Sequence, residues 1–328
     1  MSVSHNPTAE FADGAPPASH LAVTGATGRL GSRVARRLAE AGVPQRLLVR
    51  DTARVAADLA NAPGVSLAQA AYDDPGGVAR ALAGIETLFM VSATEQHIRS
   101  SGMGFTFLRD NLYADFVPLL ADEHGVIRGP AGSGKVSVVA LDDIADVASI
   151  VLRDLVSGNS VHRGRSYDLT GPQALSLAEA AQILSEVGGT PIRYHDETVA
   201  EAYASRAGHQ APDWLVEEAW VSTYLAIGAG ELDGVSSAVW EVTGRRARGL
   251  GRLFRGLCSA GGGRRGCCAR RSIRARRLAL PPDPASRAQQ PRLPPPLRAP
   301  PPPTWVGVKT VLGQGKLSAT SLAFERLF

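Results

Sequence analysis

Apolar positions along this chain alternate between two periods. Leu21-Ala22-Val23 is a short continuous run, and Leu30, Val34, Leu38 and Ala41 then fall at i, i+4, i+8 and i+11. The first pattern is that of a buried strand and the second that of one helix face. Gly42 closes the helix, and Leu47-Leu48-Val49 supplies a second strand. Val65–Ala70 reads as a third strand. Pro75 opens a helix through Val78, Leu82 and Ala83 that ends at Gly84, and a fourth strand lies within Ile85–Ala93. Strands and helices in strict turn predict an α/β fold built on a doubly wound parallel sheet.

Further along, Val136–Leu141 reads as a strand, and Asp142 as the cap of a helix through Ile144, Val147 and Val151. Ser166–Thr170 is a short strand. Ser176 with Glu179 three residues on forms a capping box before a helix whose buried face is Ala180, Ile183, Leu184 and Val187. Ile192–His195 is a last strand candidate. The stretch 199–232 is mostly helical, with breaks near 208–212 and 228–230. The predicted organisation is a lead-in over 1–19, a sheet domain over 20–160, a small α/β lobe over 161–244 and a tail over 245–328.

Between the first strand and its helix stands Gly25-Ala26-Thr27-Gly28-Arg29-Leu30-Gly31, a G-x-x-G-x-x-G turn. Gly25 permits a sharp turn, Gly28 lets backbone N–H groups approach a pyrophosphate, and Gly31 lets the helix pack closely on its strand. The positive end of the helix dipole then faces the phosphates. Gly25, Ala26, Thr27, Gly28, Arg29, Leu30 and Gly31 are therefore expected to bind a dinucleotide. After the second strand, a carboxylate would bond the ribose 2′-hydroxyl of NAD; Arg50 stands there instead. An arginine suits the 2′-phosphate, so NADP(H) is expected over NAD(H), with Asp51 beside it as a weak counter-signal.

Charge separates the body from the tail. Residues 1–244 carry 17 basic against 29 acidic side chains, and residues 245–328 carry 18 against 2. The tail is rich in Arg, Pro, Ala and Gly, which predicts disorder, and its composition resembles GC-rich coding sequence read in a shifted frame. Its fifteen arginines over 245–298 would attract nucleic acid only non-specifically. Cys258, Cys267 and Cys268 all lie there. A cysteine-free body fits a reducing cytoplasm. Met1–Ser19 shows no secretory pattern, and no run reaches the length of a membrane helix.

Several motifs carry less than their spelling suggests. Gly129-Pro130-Ala131-Gly132-Ser133-Gly134-Lys135 matches the start of a P-loop, but Val136 replaces the Ser or Thr that a Mg²⁺ site needs. No tyrosine has a lysine four residues on, so the tyrosine–lysine proton relay of classical short-chain dehydrogenases is absent. Asn111 and Tyr113 could face a cleft, although turn and core roles suit them better. The histidines lack metal-ligand spacing, and the cysteines form no zinc pattern. Trp214, Trp220 and Tyr224 read as packing of the small lobe.

Val23–Gly31, Leu48-Val49-Arg50-Asp51 and Tyr72-Asp73-Asp74-Pro75 together resemble the NmrA-like, atypical short-chain dehydrogenase/reductase group, and in particular its type 2 NADPH:quinone oxidoreductase-like branch. Ser101–Asn111, Asp142–Ala148 and Tyr167–Pro172 extend the resemblance, which spans roughly Leu21 to Gly244. It implies a Rossmann domain that binds NADP(H), with a small C-terminal substrate lobe. It also implies that Asp73 lies near the adenine and that Ser92 and Ala93 line the cofactor. The sequence departs from the family between the fourth strand and Phe105–Leu108, where only Thr94–Gly104 intervenes. Family members carry a helix, a further strand and the start of another helix there. An internal deletion that removes the fifth strand is the expectation, with a looser wall at the nicotinamide end and impaired turnover. The implied activity is NADPH-dependent reduction of a quinone-like small molecule. The alternative is a redox-sensing protein that holds NADP(H) without turnover and contacts a regulatory partner.

Overall fold

The computed structural model describes residues 20–71, 73–91, 95–100, 104–206, 220–260 and 308–313. In chain order the first half holds β1 (Leu21–Thr24), α1 (Arg29–Glu40), β2 (Gln45–Val49), α2 (Ala57–Ala60), β3 (Val65–Gln69), α3 (Pro75–Ala81), β4 (Thr87–Val91), α4 (Glu95–Ser100) and β5 (Phe105–Asp110). A 3-10 segment, Ala114–Leu120, leads to β6 (Val126–Gly129) and β7 (Lys135–Val136). Then come α5 (Leu141–Val156), β8 (Ser166–Leu169), β9 (Leu175–Ser176), α6 (Leu177–Gly188), β10 (Arg193–Asp196) and α7 (Val199–Arg206). The last described elements are α8 (Ser222–Gly228), α9 (Ala238–Thr243), α10 (Leu250–Ala260) and β11 (Val308–Gly313).

The main sheet runs β3-β2-β1-β4-β11-β5-β8. Both faces are covered, so its strands are apolar on both sides. Leu21, Val23, Leu47, Phe89 and Leu108 face the core shared with α1 and α5, whereas Ala22, Leu48, Leu88, Met90 and Phe107 face the core shared with α3 and α4. The parallel, doubly wound sheet expected from periodicity is present. The small lobe pairs β6 with β10 and β7 with β9 around a second core of Ile127, Val136, Leu177, Leu184, Tyr224 and Phe254. No helix among the described residues is long and apolar enough to cross a membrane.

The short connection after β4 has a structural outcome that the sequence reading does not contain. The described residues of this connection form the six-residue α4, and β5 does not pair with β4. A strand-wide space between them is filled by β11, which runs antiparallel to both. Val308–Gly313 is in register with Asp110–Phe105, and Thr310, Val311 and Leu312 face Val91, Met90 and Phe89. The position between β4 and β5 in the sheet is thus taken by a strand from far along the chain. The reading of 245–328 as wholly disordered is corrected here for 308–313.

The boundary at Gly244 is corrected as well. Gly244 ends α9 in the left-handed conformation, with φ at +68°. The chain then continues into α10, whose Leu250 and Phe254 are buried against α6 and its neighbours. Charge holds this extension. Arg245 donates to Asp143 at 2.7 Å and also meets Asp146. The Arg248 amide donates to Asp143 at 2.6 Å while its guanidinium reaches the same carboxylate. From the other side Arg37 binds Asp146 at 2.5 Å and Asp142 at 2.8 Å. Asp142 is therefore no helix cap: α5 begins one residue earlier, and Ala140 stands at the cap position. Burial would raise the Asp142 pKa, but the Arg37 hydrogen bond and the charges of Arg33, Arg37 and Arg248 outweigh it and hold the carboxyl below its ordinary value. That contribution to stability is complete above the ordinary carboxylate range and is lost as the pH falls through the lowered pKa. The expected β-run Val136–Leu141 pairs only at 135–136, with a single further bridge from Val139 to Tyr113.

Asp143→Ala removes a fully buried carboxylate that receives three bonds from the chain beyond Gly244. Arg245 and Arg248 remain partly in water, so the expected loss is about 1–3 kcal/mol in urea denaturation. Limited proteolysis of the unmodified chain is expected to leave a resistant body that extends past Phe254, and cleavage of the variant is expected to move back towards Gly244.

Candidate functional site

The site is built where β1 ends. Gly25 takes φ +66°, and its carbonyl oxygen accepts from the Gly28 N–H at 2.8 Å, which closes the turn. Gly28 is the N-cap of α1 and has no side chain to cap with. No acidic residue stands in the first turn of this twelve-residue helix. The positive end of its dipole therefore suits an anion from outside. Gly31 fits because nothing larger does: a Cβ there would lie 2.2 Å from the Gly25 carbonyl oxygen. Ala26 and Leu30 are buried and anchor the turn, while Thr27 is exposed on its rim. The structure thus brings Gly25 through Gly31 together in one turn at the start of α1. It lies between β1 and β4, where the strand order reverses direction, at the carboxyl end of the sheet.

Arg50 follows β2 on the same edge and is exposed. Its neighbour Asp51, the one carboxylate that could serve a ribose hydroxyl here, is occupied. Asp51 caps the 3-10 turn Thr52–Arg54 by accepting from the Ala53 N–H at 3.0 Å. Asp73 lies in an exposed turn after β3, and Asp74 beside it caps α3 by accepting from the Gly77 N–H. Ser92 and Ala93 lie outside the described residues.

Sequence reasoning missed the roof of this turn. The guanidinium of Arg29 lies 4.6 Å above the Phe116 ring, and Phe116 packs on Tyr113 with centroids 5.4 Å apart. Arg33 reaches Asp115 at 3.7 Å, and Asp115 accepts from the Leu141 N–H at 2.9 Å. Burial lifts the Asp115 carboxyl above its ordinary range, against the pull of that amide and of Arg33. The 3-10 segment Ala114–Leu120 is thereby clamped over the start of α1. Nothing in the sequence spacing links Arg29 to a phenylalanine 87 positions on, which explains the miss.

Other candidates resolve into structural roles. The Asn111 side chain donates to Ser137 and to the Leu232 carbonyl, and it accepts from the Leu112 N–H. Tyr113 is buried, with its hydroxyl 3.3 Å from Asp110. The P-loop lookalike is closed to phosphate: the Ala131 N–H donates to the Tyr194 hydroxyl, and the Gly132 N–H donates to the Asp196 carboxylate. Lys135 pairs with Glu179 at 3.7 Å. Tyr224 is buried and Trp220 packs on the same core, both beside Arg206, whereas Trp214, Cys267 and Cys268 lie outside the described residues. Among the described residues no group of His, Cys, Asp and Glu could hold a metal ion.

Comparison with known proteins agrees with this geometry. The model of the NmrA-like family matches residues 17–103. An NAD(P)H azoreductase of Xenophilus azovorans is 30% identical over 277 residues, covering 70% of this chain and 94% of the relative. Seventy per cent of 328 residues is only about 230, so the relative has residues that this chain lacks, as an internal deletion requires. Quinone oxidoreductase 2 of Escherichia coli is 27% identical, covering 71% and 98%. The solved structure of an NADPH-dependent quinone oxidoreductase from Escherichia coli in complex with NADPH is similar, with a TM-score of 0.62, 25% identity and coverage of 71% and 98%.

Gly31→Ala would force the start of α1 away from the turn. The expected result is at least a tenfold loss of NADPH affinity by fluorescence titration, with a stability loss of about 1–3 kcal/mol from overpacking. Ala substitution at the exposed Gly42, where φ is +71° and nothing lies within 4 Å of the added carbon, provides the control for backbone strain alone.

Proposed function

The chain belongs to the NmrA-like family, and on that premise we propose that it is an NAD(P)H-dependent oxidoreductase that reduces quinone-like, electron-poor small molecules with NADPH as donor. The observation that carries this reading is the uncapped, acid-free start of α1 above the Gly25–Gly28 turn. The relatives support it, since they include an NAD(P)H azoreductase and a quinone oxidoreductase. In this reading the N–H groups that follow Gly28 hold the pyrophosphate, and Arg50 receives the 2′-phosphate, since Asp51 is engaged in its own turn. Asp73 would lie near the adenine, and Ser92 and Ala93 beside the nicotinamide.

When bound, the reduced nicotinamide supplies the hydride. The chain has no tyrosine–lysine pair to deliver a proton. An acceptor such as a quinone suits this lack, because it takes a hydride without prior protonation and then draws its proton from water. The residues of the site therefore bind and orient, and placement is their main contribution to rate.

Arg50→Ala is expected to weaken NADPH binding by about 1–3 kcal/mol and to leave NADH binding nearly unchanged in calorimetric titration. Equal affinity of the unmodified chain for the two cofactors would refute the assignment. Activity is checked by loss of NADPH absorbance with a simple benzoquinone. Saturable turnover that Gly28→Asp abolishes is the expected outcome, at a rate well below that of relatives with an uninterrupted sheet. Tight NADPH binding without any turnover would instead favour a sensing protein that responds to the NADP(H) ratio.

A further inference from the structure

We propose that the space between β4 and β5 is a strand-acceptor site, and that its β11 can be supplied by a second copy of this chain to give a strand-exchanged dimer. Three features carry the argument. First, recognition in this space is by backbone. β11 pairs with β5 over all six of its residues and with β4 over three, so it is bonded along both edges. Such pairing accepts any extended segment of suitable register, from the same molecule or another.

Second, the neighbours need an occupant. Phe89, Met90 and Leu108 are essentially fully buried, and an empty space would leave the facing N–H and C=O groups of two core strands unpaired. Third, β11 is not held in place by the connections that order the rest of the sheet. The other strands of this sheet pair only in parallel, whereas β11 is antiparallel to both neighbours. The 47 residues 261–307 separate it from α10 and could span about 150 Å if extended. That reach includes a neighbouring molecule. Exchange of identical segments between two copies closes as a two-fold dimer.

The test uses the full chain. Tagged and untagged preparations are mixed at high concentration, the tagged chain is captured, and co-captured untagged chain is measured alongside light scattering. We expect co-capture that grows with concentration and falls at least tenfold when both preparations carry Val311→Pro. In a strand paired on both sides that proline removes a ladder hydrogen bond and obstructs a neighbour. A synthetic peptide of residues 304–316 in excess is expected to dissociate the dimer, while the same peptide with proline at position 311 does not. Should the variant chain fail to fold, the peptide competition on the unmodified chain decides alone. Monomers at every concentration, or dimers indifferent to the peptide, would overturn the proposal.

Discussion

A backbone hydrogen bond has a fixed reach, and neighbouring strands must therefore lie about 4.8 Å apart. β4 and β5 stand two such steps from each other, and the short helix α4 is the element described between them. The rest of the molecule follows from how that separation is bridged. β5 and β8 belong to the main sheet only through β11, and β5 in turn sets the start of the 3-10 segment that roofs the glycine turn. Direction is secondary. An antiparallel strand satisfies the same donors and acceptors as the parallel one it replaces, so the sheet closes with a segment from elsewhere in the chain.

Charge does a second job of assembly. The acidic surplus of the first 244 residues is concentrated where arginines need it. Asp115, Asp142, Asp143 and Asp146 meet Arg33 and Arg37 of α1 on one side and Arg245 and Arg248 on the other. Arg245 and Arg248, at the start of the basic tail, are thus counter-ions of a buried aspartate rather than free surface charge. The same ladder joins α1 to α5, and α1 is the helix that follows the glycine turn. Placement of that turn and anchoring of the chain beyond Gly244 are one network.

The first βαβ unit was legible from sequence because its signals are local. The helix stripe of Leu30, Val34 and Leu38, the glycine spacing and the Ser176–Glu179 capping box all appear as read, since each depends on residues within one or two turns. The misreadings share a different cause. Leu250 and Phe254 form a helical stripe, but arginine and glycine around them give the segment the composition of a disordered tail. β11 has no local signal strong enough to stand out, because its stability comes from two partners some 200 positions earlier. Asp142 and Asp143 both sit in the first turn of α5, and spacing alone could not tell a cap from a ligand of Arg37. The roof over the glycine turn, Arg29 on Phe116, is likewise a long-range contact.

The place of β11 in the chain also orders events in time. It leaves the ribosome some 200 residues after β4 and β5. At about 5–20 residues per second the nascent molecule spends roughly 10–40 s with two core strands lacking their shared neighbour. During that interval the dinucleotide turn can already form, since every residue from Leu21 to Val49 is local to it. Formation of the glycine turn and closure of the sheet are therefore separable steps of biosynthesis. The second step is the one exposed to chaperones, to premature termination and to pairing with other nascent chains on the same message.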